Sequence, residues 1–144
     1  MTDPAELERI LTLLPQRAPA VLIDRLELLE HGARAVGWKT FPAGDRVFDG
    51  HLPGDPIVPG VMLVEALAQV SGCALVPPGF GQPIGGYLAG IGRFRFRRLV
   101  RPGEAIRLEA RLEQRLGSAA QFAVEARVGD EVAAEGQLTV GGMR

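Results

Sequence analysis

Residues Pro59 to Leu75 make a run that is apolar almost all the way round a helical wheel. Val61, Met62, Leu63, Val64, Ala66, Leu67, Ala68 and Val70 cover its sides. Pro59 suits a helix start, where a missing N–H is no loss, and Pro77-Pro78-Gly79 stops the helix after about Leu75. A helix of this kind cannot lie on a surface and must be enclosed. The 20 residues Ile57 to Val76 approach the length of a bilayer span. Against a span stand Pro59-Gly60, Gln69, Ser71 and above all Glu65, whose carboxylate would cost roughly 2.5–3.5 kcal/mol at mid-membrane. The reading is a buried helix in a soluble protein, with no membrane partner.

What encloses the helix lies downstream. In 105–112 Ile106, Leu108, Ala110 and Leu112 alternate with Arg107, Glu109 and Arg111, a period of two. The same alternation places Ala120, Phe122, Val124, Ala126 and Val128, then Val132, Ala134, Leu138 and Val140, on one dry face. For the last hairpin, a two-residue Gly129-Asp130 turn would set Val128 opposite Glu131. The pattern therefore predicts an odd loop, Gly129-Asp130-Glu131, or a bulge, with Val128 opposite Val132. Upstream, Asp3-Pro4-Ala5-Glu6 predicts a capped helix start, with Ile10, Leu11, Leu13 and Leu14 as the apolar face and Pro15 as the stop. Strands are predicted over 20–29 and 33–41, joined at Glu30-His31-Gly32, with a loop from Pro42 to Pro56. The expectation is a single α+β domain over residues 1–144, its antiparallel sheet curled around one helix.

Composition narrows the chemistry. One cysteine, Cys73, cannot close an intrachain disulfide, and with two histidines it cannot make a four-ligand zinc cage, so no metal is expected. Cys73 reads as a small buried apolar side chain and His31 as a surface turn residue. The start, MTDPAELERI, does not read as a signal peptide, which makes the cytoplasm the expected location. Net charge is −1, yet Arg93 to Arg115 holds eight arginines against three glutamates. One basic sector on a near-neutral chain fits docking of an acidic partner better than nucleic-acid binding.

The chemistry concentrates in Phe48-Asp49-Gly50-His51-Leu52-Pro53-Gly54-Asp55-Pro56-Ile57-Val58-Pro59-Gly60-Val61 and the following Met62-Leu63-Val64-Glu65-Ala66-Leu67-Ala68-Gln69. His51 sits in a proline-stiffened loop. Pro59-Gly60 opens a helix whose free N–H groups can receive developing negative charge, with no side chain at Gly60 in the way. Glu65 shares a helix face with Gln69 and little else that is polar, so desolvation is expected to favour its protonated form. A neutral imidazole, a protonated carboxyl and an anion-stabilising helix end suit proton removal beside a carbonyl with loss of a group from the next carbon.

The segment GHLPGDPIVPGVMLVEALAQ resembles the signature of the hot-dog-fold (3R)-hydroxyacyl-acyl-carrier-protein dehydratases of fatty-acid synthesis, the type with glutamate as second catalytic residue. Leu14-Pro15-Gln16-Arg17, Leu22-Ile23-Asp24-Arg25, Tyr87-Leu88-Ala89-Gly90-Ile91, Phe96-Arg97-Arg98 and Arg101-Pro102-Gly103-Glu104 extend the likeness over nearly the whole chain. The resemblance implies a hot-dog fold and a cofactor-independent lyase that forms the trans-2-enoyl thioester. In it His51 is the base, Glu65 the acid, and the Gly60 amide the donor to the thioester carbonyl. It further implies acyl carrier protein as partner, docking at Arg97, Arg98 and Arg101, and a homodimer or trimer of dimers whose sites combine side chains of two protomers. Departures from the family's usual residues fall at Gln16, Ala18, Ala20, Leu52 and Gly92, and bear on acyl chain length more than on the reaction. Other readings stay open: an acyl thioesterase, a dehydratase of a polyketide or pigment pathway, or a non-catalytic carrier-binding subunit.

Overall fold

A computed structural model describes residues 3–82 and 86–142. The elements in order are α1 (Pro4–Leu11), β1 (Arg25–Glu30), β2 (Arg34–Thr40), a 3-10 turn (Arg46–Phe48), α2 (Gly60–Ala74), β3 (Tyr87–Phe96), β4 (Ala105–Leu116), β5 (Ala119–Val128) and β6 (Glu131–Gly141). Six strands form one antiparallel sheet in the order β1-β2-β4-β5-β6-β3. Helix α2 touches β1, β2, β4, β5 and β6, so the sheet wraps it, which is the α+β hot-dog arrangement. Among the described residues no helix is long and apolar enough to cross a membrane.

The period-two strands do what their pattern requires. Ile106, Leu108 and Ala110 of β4, Ala120, Phe122, Val124 and Ala126 of β5, and Leu138 and Val140 of β6 are buried in one cluster with Leu67, Val70, Cys73 and Ala74 of α2. Each large side chain so enclosed contributes roughly 1.5–3 kcal/mol relative to exposure. Burial pushes the Cys73 thiol up to about 12, so it remains an uncharged apolar filler. The far end of α2 is held by the β1–β2 turn: the Gly32 N–H donates to Ala74 O at 2.7 Å, and His31 Nδ1 lies 2.5 Å from Val76 O. His31 is therefore a half-buried helix-end partner rather than a free surface residue, because the last carbonyls of α2 need donors there.

Three local expectations are corrected. Helix α1 ends at Leu11, before Pro15, and Leu13 and Leu14 reach the core from the turn that follows. Its Glu6 pairs with Arg9 at 2.6 Å. Strand β1 starts at Arg25 instead of residue 20, since Ala20 and Leu22 give their backbone groups to the Gln69 side chain. In the last hairpin the turn is Gly129-Asp130 and Val128 does oppose Glu131. A bulge corrects the facing one step later: Arg127 pairs with Val132 and Ala126 with Ala134, leaving Ala133 as the extra residue. The carbonyl of Ala133 is not wasted, accepting from the Arg97 and Arg98 N–H groups.

Candidate active site

Helix α2 begins at Gly60 with Pro59 as its cap residue, which supplies no side-chain hydrogen bond. Among the described residues none accepts from the Gly60 N–H, so this amide stands free at the positive end of the helix. Glycine is required here sterically: a Cβ on residue 60 would stand 2.8 Å from Cε1 of Phe96. The leading turn is open, with Val61 73% exposed, while the rest of the helix sinks into the core.

One turn further in, Glu65 is half-buried rather than fully enclosed, and Gln69 holds it. Gln69 is 3% exposed. Its Nε2 donates to Glu65 Oε1 at 3.2 Å and to Ala20 O at 2.8 Å, and its Oε1 accepts from the Leu22 N–H at 2.8 Å. One amide thus aims the carboxyl and pins the segment 20–22 across the helix. The sequence placed Gln69 beside Glu65 but did not assign it this role; a lone amide on an otherwise apolar helix was the available signal. Glu65 and Gln69 line a cavity of about 50 Å³ with Pro15, Gln16, Tyr87 and Leu88 among its other walls.

His51 lies outside that cavity in the loop that precedes α2. The loop turns through left-handed backbone at Gly50, Leu52 and Gly54, with φ of 71°, 48° and 87°. Leu52 pays a steric cost of about 1–2 kcal/mol at such a φ, a strain found mostly where geometry is constrained by function. The His51 Nδ1 is enclosed without a partner, so Nε2 is the ring nitrogen left open. The loop is tied to the segment after β3: the Val58 N–H donates to Val100 O at 2.8 Å, the Gly103 N–H to Phe41 O at 2.8 Å, and Arg101 pairs with Asp55.

That same segment carries the expected docking arginines, and their environments differ. Arg98 is clamped on Glu104 by two bonds of 3.0 and 2.7 Å. The Arg98 hydrogen bonds, helped by the Arg101 N–H, hold the Glu104 carboxyl below its ordinary range. Arg97 and Arg101 are half exposed, at 51% and 49%, with Glu135 and Asp55 as partners. Of the positions that depart from the family pattern, Gln16 faces the Glu65 cavity, Ala18, Ala20 and Leu52 are exposed, and Gly92 has room for a side chain beside Gln137.

Within one chain the free amide and the carboxyl share α2, whereas the imidazole does not reach the cavity they border. Residues 14–137 match the family model described as the FabA-like domain. The chain is 42% identical over 134 residues to the 3-hydroxyacyl-acyl-carrier-protein dehydratase FabZ of Chloroflexus aggregans, covering 92% of each chain. It is 40% identical to the protein of the same name from Pelotomaculum thermopropionicum, covering 92% of this chain and 95% of that one. Among solved structures, the dehydratase heterocomplex ApeI:P from Xenorhabdus doucetiae superposes with a TM-score of 0.72 at 19% identity, over 98% of this chain and 91% of that chain.

Proposed function

The chain belongs to the FabA-like family, and on that premise we propose how its residues carry out the reaction of its relatives, the dehydration of a 3-hydroxyacyl group on acyl carrier protein. His51 Nε2 removes the proton from C2. The Gly60 N–H donates to the thioester oxygen as negative charge builds there, at an uncapped helix end where the dipole adds to the bond. Glu65, entering protonated, gives its proton to the 3-hydroxyl, which leaves as water. The product is the trans-2-enoyl thioester from the (3R) alcohol. The reaction asks nothing of a metal or organic cofactor, since both proton transfers are made by side chains.

The observation that carries this reading is the pairing of a free Gly60 amide with a Gln69-aimed Glu65 on a single enclosed helix. His51 must then come from a second copy, and the sheet offers a place for one. Strand β3 ends the strand order with an unpaired edge, and Tyr87, Ile91 and Phe96 on it are exposed, as is Val61. A homodimer formed on this edge, alone or as a trimer of dimers, supplies each site with its imidazole. Arg97 and Arg101 face acyl carrier protein, while Arg98 chiefly holds their loop through Glu104. The work is placed in the cytoplasm, in fatty-acid or related acyl-chain synthesis.

The test is product identity. Purified protein is given 3-hydroxyacyl carriers of several lengths, with and without His51→Ala and Glu65→Gln. Enoyl product from the parent and a loss of about 100-fold or more in each variant is expected. Free acid as product, or full activity in either variant, would overturn the assignment.

A further inference from the structure

Among the described residues only two buried side-chain polar atoms lack a hydrogen-bond partner, Gln16 Oε1 and His51 Nδ1. An enclosed carbonyl without a donor costs about 1–3 kcal/mol, so a buried acceptor of this kind needs an explanation. Gln16 lines the Glu65 cavity, and no hydrogen bond within the chain engages its side-chain amide. Gln69 cannot serve a ligand there, because both its donors and its acceptor are already committed. The space of about 50 Å³ between these walls is right for a group the size of a water molecule or two, not for an acyl chain.

The geometry points to Gln16 as a positioning residue for the 3-hydroxyl and for the water it becomes. The inference rests on the reading of Glu65 as the acid. A hydroxyl that is to be protonated must present a lone pair to Glu65, and its own hydrogen then needs an acceptor. Gln16 Oε1 is the acceptor on the cavity wall that is enclosed and unengaged. When the C3–O bond breaks, the electron pair stays with oxygen, which has taken the Glu65 proton. The departing water has two hydrogens, one directed to Gln16 Oε1 and one to the Glu65 carboxylate. Substrates with a hydroxyl at C3 are thereby distinguished from saturated acyl chains of the same length, which have nothing to donate.

Two variants of the full chain test this. Gln16→Met keeps the volume and removes the acceptor. The expected result is a fall of about tenfold in kcat/KM for dehydration, with affinity for a saturated acyl carrier of equal length unchanged within about twofold. Gln16→Glu keeps an oxygen acceptor at the same reach and adds a second carboxyl beside Glu65. It is expected to retain dehydration within about fivefold while moving the alkaline limb of the pH–rate profile upward, because a neighbouring negative charge keeps the acid protonated to higher pH. Unchanged kcat/KM in Gln16→Met would overturn the role, as would equal weakening of hydroxyacyl and saturated ligands. Should Gln16→Met unfold, an unshifted profile in Gln16→Glu has the same meaning. A parent that makes no enoyl product, or a fully active Glu65→Gln, fails the underlying reading instead. An inactive Glu65→Gln beside an unaffected Gln16→Met fails the Gln16 role alone.

Discussion

The ring of Phe96 occupies the space that a side chain on Gly60 would need, with Cε1 only 2.8 Å from the Cβ position. Phe96 is itself exposed, so Gly60→Ala displaces a ring rather than the core. A helical alanine also restricts the unfolded chain, which offsets part of the crowding. Thermal melting is expected to change by only a few degrees, of the order that 1 kcal/mol produces. Steady-state dehydration is expected to drop about tenfold or more, since the donor amide and its surroundings move together. Loss of stability without loss of rate would contradict the role given to this amide.

If each site joins His51 of one protomer to Glu65 of the other, two inactive variants should rescue each other. Random exchange of His51→Ala with Glu65→Gln chains makes half the dimers mixed, each with one intact site, restoring roughly a quarter of parental activity. The assay is activity against mixing time after dilution and reassociation. A mixture that stays as inactive as its components places both groups in one protomer.

Gln69→Leu removes three hydrogen bonds at once and strands the Leu22 N–H and Ala20 O. Two unpaired backbone groups predict a loss of about 1–3 kcal/mol in denaturant unfolding. Activity should fall further than stability explains, because the carboxyl also loses its aim. Glu65 kinetics unaltered in a folded Gln69→Leu would separate the two roles.

The Glu104 carboxyl is held below its ordinary value of 4.5 by the hydrogen bonds from Arg98 and the Arg101 N–H. A lowered folded-state pKa stabilises above about pH 4.5 and is lost as pH falls through the folded value. Glu104→Gln should therefore melt lower than the parent at pH 7, by an amount no larger than about 1 kcal/mol for so exposed a pair. The gap should close in acid. A gap independent of pH would mean that shape, not charge, joins these residues.

Much of this architecture could be read from the chain because burial writes a period. The continuous apolar wheel of 59–75 gave α2 to within a residue at either end, and the alternation through 105–140 gave β4, β5 and β6. What escaped has physical causes. Residues 20–24 look like strand, yet their backbone groups at Ala20 and Leu22 are captured by Gln69, a contact 47 to 49 positions away in sequence. The Ala133 bulge hides in two consecutive small residues, both fully buried, which no alternation can signal. Strand β3 has glycines at 90 and 92, two register shifts and a left-handed Arg93, and was recognisable only through likeness to a family. His51, Gly60 and Glu65 stood out as residue types in sequence, whereas the Gln69 anchor and the enclosed Gln16 oxygen depend on spatial neighbours.

Helix α2 unites two contrary environments. Its later turns lie among the most sheltered backbone of the molecule, clasped at the far end by His31 and Gly32, while its first turn is wet and uncapped. Amide exchange along it should therefore run from fast at Val61 to nearly global-unfolding slow by Val70. Positional accuracy at the tip is inherited from an immobile trunk, so the reacting end can remain reachable without becoming loose.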